Sequence, residues 1–490
     1  MKHKPLQPSI NEHSFHNALF IFPYYLLLAC TAVTFLLPSC TAEEPNLSKY
    51  DRINRFIIDG VQTYYLWEEE TDWKQYDKLN SYTDMDHYQL FNRLLYRDDT
   101  WSILTEDIGG LEDQFAGVST TFGYTLSFYY NPFTNNNEVI AIVLYTSIES
   151  PASHVGLKRG DIIIEINGSK LTANNYTELY TASSIQVRCG QVNVETKTIT
   201  PLPSVFNLTA VNMYENPVNA ITIIEKGGHT IGYLCYTGFQ RESEEELLQL
   251  FAEFKSAGVN EVVLDLRYNP GGFSRTAQIL SSILAPESAV KNQSIYLEHY
   301  YNNLYTEFLK QNGYVLYETF IDTLPVNMNL SRLYVLTGKN TASASEATLV
   351  GLDPYMQVIQ IGDTTSGKFC GGVLLSPQDL YYEKDQNYYE SFSNWGMYIM
   401  IYRYANINGI SSFSAGLVPD IFAKEDVFDL KPFGDEDDPL LGRALAQIMG
   451  TSYTGTRSAK IAVPLTALPT HRNPVDGLLI AEPHLKIPDF

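Results

Sequence analysis

The chain is short of positive charge, of cysteine and of long apolar stretches, and each shortage closes off a class of function. Lys and Arg number 33 against 56 Asp and Glu, a net charge of −23. Binding to a nucleic acid needs Lys and Arg to replace counterions, so no DNA or RNA partner is expected; beyond that, the acidic surface bears mainly on solubility. The five cysteines, Cys30, Cys40, Cys189, Cys235 and Cys370, form no CxxC pair. Their spacing shows no zinc or redox motif and no disulfide framework, and those in the body read as isolated small buried residues. No metal and no cofactor is expected. Only Ala18 to Pro38 is almost continuously apolar, and no other stretch is long enough to span a bilayer.

What is present is globular. Hydrophobic residues make up 44% and charged residues 18%, outside the range of a disordered chain. A length of 490 residues exceeds one ordinary core, so two to four domains are expected.

Lys2 and Lys4 precede the apolar stretch, which ends Leu36-Leu37-Pro38-Ser39-Cys40 and turns polar at Thr41-Ala42-Glu43-Glu44. A small residue before Cys at the end of an apolar run resembles a bacterial lipoprotein signal over residues 1–40. The resemblance implies that Cys40 is lipidated and becomes the first mature residue. Leu28-Ala29-Cys30 fits more loosely, because apolar sequence follows it. An uncleaved membrane anchor is the alternative. Either way the body is exported and tethered to the membrane by its N-terminus, in the bacterial cell envelope, on the periplasmic side or the cell surface.

Residues 45–109 read as a helical domain, with Ile53, Phe56, Ile57, Val61 and Tyr64 at helical spacing, and Tyr88, Phe91, Leu94 and Leu95 likewise. Residues 110–204 change to strand character. Val118 to Tyr130 alternates, and Ile140 to Tyr145 is a buried-type strand. Ser150 to Gly168 then reads as a capped short helix ended at Gly156, a Gly-Asp turn, a strand and an Asn-Gly hairpin turn. From about 205 the pattern becomes α/β. Thr230–Tyr236 and Val262–Leu266 are strands joined by a helix that opens on the capping box Ser243-Glu244-Glu245-Glu246 and ends at Gly258. A strand–helix–strand unit implies a parallel pair with a right-handed crossover. The Tyr-rich region 380–405 reads as further strands, Asp437–Ile448 as a final helix, and 451–490 as an irregular tail or a few short added strands.

Three turns follow predicted strands: Asn269-Pro270-Gly271-Gly272, Thr341-Ala342-Ser343-Ala344-Ser345-Glu346 and Ser366-Gly367-Lys368. Clefts in α/β sheets form at those strand ends. Taken singly, each turn has an ordinary role: a tight turn, a helix N-cap and a surface lysine. Together they offer a serine near a helix N-terminus, a lysine able to act as base if burial lowers its pKa, and a Gly pair able to turn N–H groups toward an oxyanion.

The Ser150–Gly168 stretch resembles a PDZ domain of the kind found in bacterial proteases, which binds extended C-terminal peptides. By that resemblance the carboxylate loop is Thr121-Phe122-Gly123-Tyr124. His154 reads as a surface helix residue. The three turns resemble those of the S41 carboxyl-terminal processing peptidases. The family's serine motif matches Thr341–Glu346, with Ser343 as nucleophile; its Gly-Lys motif matches Gly367-Lys368, 25 residues on; and its Asp-Leu-Arg-x-Asn-x-Gly-Gly turn matches Asp265–Gly272. The resemblance implies a Ser343–Lys368 dyad and an oxyanion hole from Ala344 with Gly271 or Gly272. Ser345 and Glu346 read as structural. Many members carry Gln four residues after the lysine, where this chain has Gly372. His229 and His299 sit in no matching motif.

The expected architecture is a multidomain α/β (α+β) chain: a helical N-terminal domain (45–109), a PDZ β-sandwich or barrel-like domain (110–204), an α/β S41 protease core (205–450) and an irregular C-terminal tail (451–490). The expected function is a membrane-tethered serine endopeptidase acting on protein or peptide substrates. The alternative is a catalytically weak or inactive peptide-binding adaptor on the same fold.

Overall fold

The computed structural model describes residues 48–76, 82, 85–134, 136–411, 413–453, 463–469 and 475–481. Cys40 and its apolar segment lie outside the described residues.

Four parallel strands, His229–Tyr236, Glu261–Asp265, Arg332–Thr337 and Gln357–Gly362, lie side by side in that order. Their near-continuous Val, Ile and Leu content follows from burial on both faces. One face packs on helices Glu244–Ser256, Ser274–Leu284 and Ala344–Leu352, and the other on Pro439–Ile448. The expected strand–helix–strand crossover is present. The expected capping box at Ser243 is not: a 3-10 turn over Arg241–Ser243 runs into the helix, and the Ser243 hydroxyl donates to the Gln240 carbonyl at 2.7 Å.

A second sheet is built around Gly396–Ala405. It is the only long strand of the Tyr-rich region. Residues 386–389 form a short helix instead, opened by the N-cap Asp385. The side-chain cap favours helix there over the strand propensity of tyrosine.

The N-terminal helices Lys49–Tyr64 and His87–Leu94 bury Phe56, Ile57, Val61 and Leu90 in the same core as the α/β layers. Tyr88 departs from the expected apolar face and is 42% exposed. Strand Ile103–Thr105 pairs antiparallel with Gly396–Tyr398, Ile103 opposite Tyr398 and Thr105 opposite Gly396. The N-terminal segment is therefore built into the main core by hydrogen bonds as well as packing.

The strand-rich unit has its own core around Leu126, Phe128, Val143, Ile163 and Val187. Its sheet runs Tyr124–Tyr130, Val139–Thr146, Ile162–Ile166, Ser184–Asn193 and Thr198–Thr209, with Tyr124–Tyr130 at one edge. The Asn167-Gly168 turn has φ of 50° and 76°, the left-handed pair such a hairpin requires. The expected boundary at 204 falls inside the Thr198–Thr209 strand. The unit extends to Tyr214, because Val211–Tyr214 pairs with Val118–Thr121. The tail is partly ordered as strand: Leu479–Ile480 lies between Gly272–Phe273 and Cys370–Leu375.

Candidate active site

The parallel strands end at Asp265, Thr337 and Gly362, and the three turns noted in the sequence meet there. Hydrogen bonds lock them to one another. The Ala342 amide and the Ser345 hydroxyl donate to the Asn269 carbonyl at 3.2 and 3.1 Å, and the Thr341 hydroxyl donates to the Leu266 carbonyl at 2.7 Å.

Ser343 sits just before helix Ala344–Leu352, with φ 62° and ψ −112°. A non-glycine residue at positive φ is strained, by about 1–3 kcal/mol, and such strain gathers at functional sites. The ordinary role of an N-cap is only half fulfilled. Glu346 reaches back to accept the Ser343 amide at 2.8 Å, but the Ser343 hydroxyl makes no cap bond. Both the Ser343 Oγ and the Lys368 Nζ are buried without a hydrogen-bond partner among the described residues. The pair is thus not hydrogen-bonded to each other in this state.

Glu346 is what joins the serine turn to the lysine turn. Its carboxylate accepts the Thr365 hydroxyl and the Gly367 amide at 2.6 Å each, and the Lys368 amide at 2.9 Å. Burial pushes this carboxyl up, against those bonds. Tyr404 adds a second clasp: its hydroxyl reaches the Ser343 carbonyl at 3.2 Å and the Lys368 carbonyl at 2.9 Å.

Lys368 is 1% exposed, and burial lowers its amine to about 8, with Cys370, Asp99 and Glu346 pulling the other way. Its Nζ stands 5.7 Å from the centre of the Trp101 ring and 5.6 Å from that of Tyr398. Trp101 comes from the N-terminal segment and carried no signal in the sequence. Its nearness to Lys368 follows from the pairing of Ile103–Thr105 with the strand that holds Tyr398.

Gly271 lies against the serine turn, where a Cβ on it would come 2.7 Å from the Ser343 Cβ and 3.1 Å from the Ala344 nitrogen; its φ of 112° is open to glycine. The Gly271 amide donates to the Asn269 Oδ1 at 2.9 Å, and the Gly272 amide to the Leu478 carbonyl at 3.0 Å. Both glycine amides are therefore engaged within the chain. The Ala344 amide has no acceptor among the described residues.

A cleft of about 590 Å³ runs between the two units, lined by Thr121, Phe122 and Tyr124 on one side and Gly271, Gly272 and Ala342 on the other. Gly123 closes the first loop by accepting the Ser147 amide at 2.9 Å. Of the other histidines raised by the sequence, His229 lies 3.6 Å from Glu261, at the opposite end of the strands, and His299 stacks on Tyr402. His154 is on the surface beside Glu149. No cluster of metal-ligating side chains occurs among the described residues.

Residues 230–423 match the model of peptidase family S41. The carboxyl-terminal-processing protease of Synechocystis is 23% identical over 386 residues, 76% of this chain and 82% of that protein. The carboxy-terminal processing protease CtpB of Bacillus subtilis is 26% identical over 227 residues, 45% of this chain but 42% of its own length. A crystal structure from Bacteroides fragilis assigned to the S41 proteases superposes with a TM-score of 0.65 at 25% identity, over 81% of this chain and 97% of that one. The family model over residues 230–423, the relatives and the fold agree in one similarity, to the serine-type peptidases of family S41, the carboxyl-terminal processing kind.

Proposed function

We propose that the chain is an exported endopeptidase using a Ser343–Lys368 dyad, with a PDZ-like unit that presents substrate C-termini. The observation that carries this reading is Glu346, one buried carboxylate that accepts the amides of both Ser343 and Lys368.

With its amine lowered to about 8, Lys368 is partly neutral near physiological pH. The neutral amine takes the Ser343 proton as Oγ attacks the scissile carbonyl. Negative charge develops on the carbonyl oxygen, beside the Ala344 amide and an amide of Gly271 or Gly272. The lysine then gives its proton to the leaving amine, and water releases the acyl group by the same exchange. Each glycine amide must first leave its present acceptor. Thr121, Phe122, Gly123 and Tyr124 are the candidate carboxylate loop, and support comes from the cleft that Thr121, Phe122 and Tyr124 share with Gly271 and Gly272. Lipid attachment at Cys40 holds the enzyme to the membrane. No helix among the described residues is long and apolar enough to cross one. Casein cleavage by wild type, Ser343→Ala and Lys368→Ala tests the chemistry; equal activity in all three refutes it.

A second reading, a catalytically weak peptide-binding adaptor, is favoured by the absence of a Ser343–Lys368 hydrogen bond and by the engaged Gly272 amide. A covalent adduct of a serine-directed phosphonate at Ser343 counts against it.

A further inference from the structure

The chain after its last long helix returns to the edge of the strand-rich unit. The Tyr130 amide donates to the Thr466 carbonyl at 2.9 Å, and the Leu468 amide to the Phe128 carbonyl at 3.0 Å. Tyr129 stands opposite Ala467 in an antiparallel bridge. Leu468 is 8% exposed and belongs to the unit's own apolar core, with Leu126, Phe128 and Leu179. This is strand addition: backbone bonds along an edge, and an alternate side chain dropped into a pocket.

The direction also fits a peptide ligand. In an antiparallel pair, rising numbers in the tail run toward falling numbers in the edge strand. The tail therefore heads from Tyr130 toward Tyr124 and the Thr121–Tyr124 loop. Further along the edge strand, the Leu126 amide is taken by the Tyr180 hydroxyl at 3.1 Å. Further on, Val475, Asp476 and Gly477 line the cleft that holds Gly271 and Gly272. Leu478, Leu479 and Ile480 are then buried in the main core. The tail is anchored by that core segment, whereas its edge contact among the described residues rests on two backbone bonds and one leucine.

We propose that residues 466–468 are an intramolecular peptide ligand. They occupy the edge of Tyr124–Tyr130, so that an incoming extended peptide, with an aliphatic residue in the place of Leu468, must displace them. The proposal rests on the peptide-presenting role given above to the strand-rich unit. A ligand tethered at both ends acts at an effective concentration in the millimolar range for short linkers. Only peptides that bind well, or are themselves tethered, displace it, and such a tail screens out casual contacts between the cleft and unstructured chains.

The test uses the full-length protein in a Ser343→Ala background, with and without Leu468→Asp, and with the milder Leu468→Ala as a check that folding is kept. The probe is a fluorescent peptide copying residues 463–469. The expected result is at least tenfold tighter binding of the probe to Leu468→Asp, with faster hydrogen exchange at the Tyr130 amide and a melting temperature close to the parent's. Unchanged exchange at Tyr130, or faster exchange with unchanged probe affinity, overturns the proposal. In the Ser343-intact protein, Leu468→Asp is expected to cleave casein several-fold faster. If probe binding rises but casein is cleaved by neither protein, the peptidase reading fails and the tail remains the occupant of the edge.

Discussion

Tyr398 stands where a side chain at position 372 would go. A Cβ built on Gly372 would lie 2.5 Å from the Tyr398 Cζ and 2.6 Å from the Ile399 carbonyl oxygen. The Tyr398 hydroxyl is tied to the Leu479 carbonyl at 2.7 Å, so the ring is not free to swing aside. Glycine at 372 and tyrosine at 398 are thus one arrangement. Restoring glutamine with Gly372→Gln is expected to destabilise the protein by about 1–3 kcal/mol through overpacking. Adding Tyr398→Ala is expected to recover part of that loss. Urea unfolding of the two single variants and the double variant measures the coupling.

The same ring, with Trp101, borders the Lys368 amine, and the two rings keep water from it. Trp101→Ala admits water and raises the lysine toward its ordinary value of 10.5. Wild-type casein cleavage is expected to rise with pH through about 8, as the amine loses its proton. In Trp101→Ala that limb moves to higher pH and kcat at neutral pH falls by roughly tenfold, a shift of about one pKa unit. KM stays near the wild-type value, and a profile displaced in KM alone counts against a role in holding the lysine.

Burial of Lys368 also affects stability, and the sign is definite. Its amine is lowered from 10.5 to about 8, so the unfolded chain binds the extra proton between those values. Stability therefore rises with pH across that window, and below it the folded state carries the full cost, about 3 kcal/mol at most. Lys368→Met is expected to be inactive yet more stable than wild type at pH 7. The gain shrinks to nothing above pH 10.5, as thermal melts in a pH series would record.

Glu346 accepts four hydrogen bonds with no exposed surface. An amide in its place brings two donors where the site offers only donors. Glu346→Gln is expected to cost about 2–4 kcal/mol and to lower kcat by roughly a hundredfold, a 1 Å displacement being enough for that loss. Denaturant titration and steady-state kinetics check both figures.

A buried ion network joins the two units. Arg267 pairs with Asp438 at 2.8 Å and with Glu425 at 2.7 Å, and Arg159 of the strand-rich unit reaches the same Glu425. Burial raises the carboxyls of Glu425 and Asp438, but Arg267 outweighs it and holds both below the ordinary range. Their contribution is present above the unfolded values near 4 and is lost as pH falls through the folded ones. Acid unfolding of wild type is thus expected to steepen below pH ~4. Asp438→Asn, which leaves Arg267 short of a partner, is expected to cost about 3–5 kcal/mol at pH 7.

The serine, lysine and glycine turns were legible because each is a short local pattern at the end of a periodic apolar strand. Strand and helix periods also announced the α/β order. Local pattern misleads where a side-chain cap outweighs propensity, at 386–389, and where a 3-10 turn replaces the capping box at Ser243. The boundary at 204 was misplaced because a long strand continues through it, and no composition shift marks where pairing ends.

By itself the sequence singled out the serine, lysine and glycine turns and the order of elements that carries them. Only the tertiary structure decided what surrounds those residues. Trp101 meets Lys368, Tyr398 fills the space at Gly372, and Thr466–Leu468 pairs with Phe128–Tyr130, through contacts between segments far apart in the chain. Such contacts leave no periodic trace in either partner. They follow from how the sheets stack and where the strands find an open edge, which no local run of residues encodes.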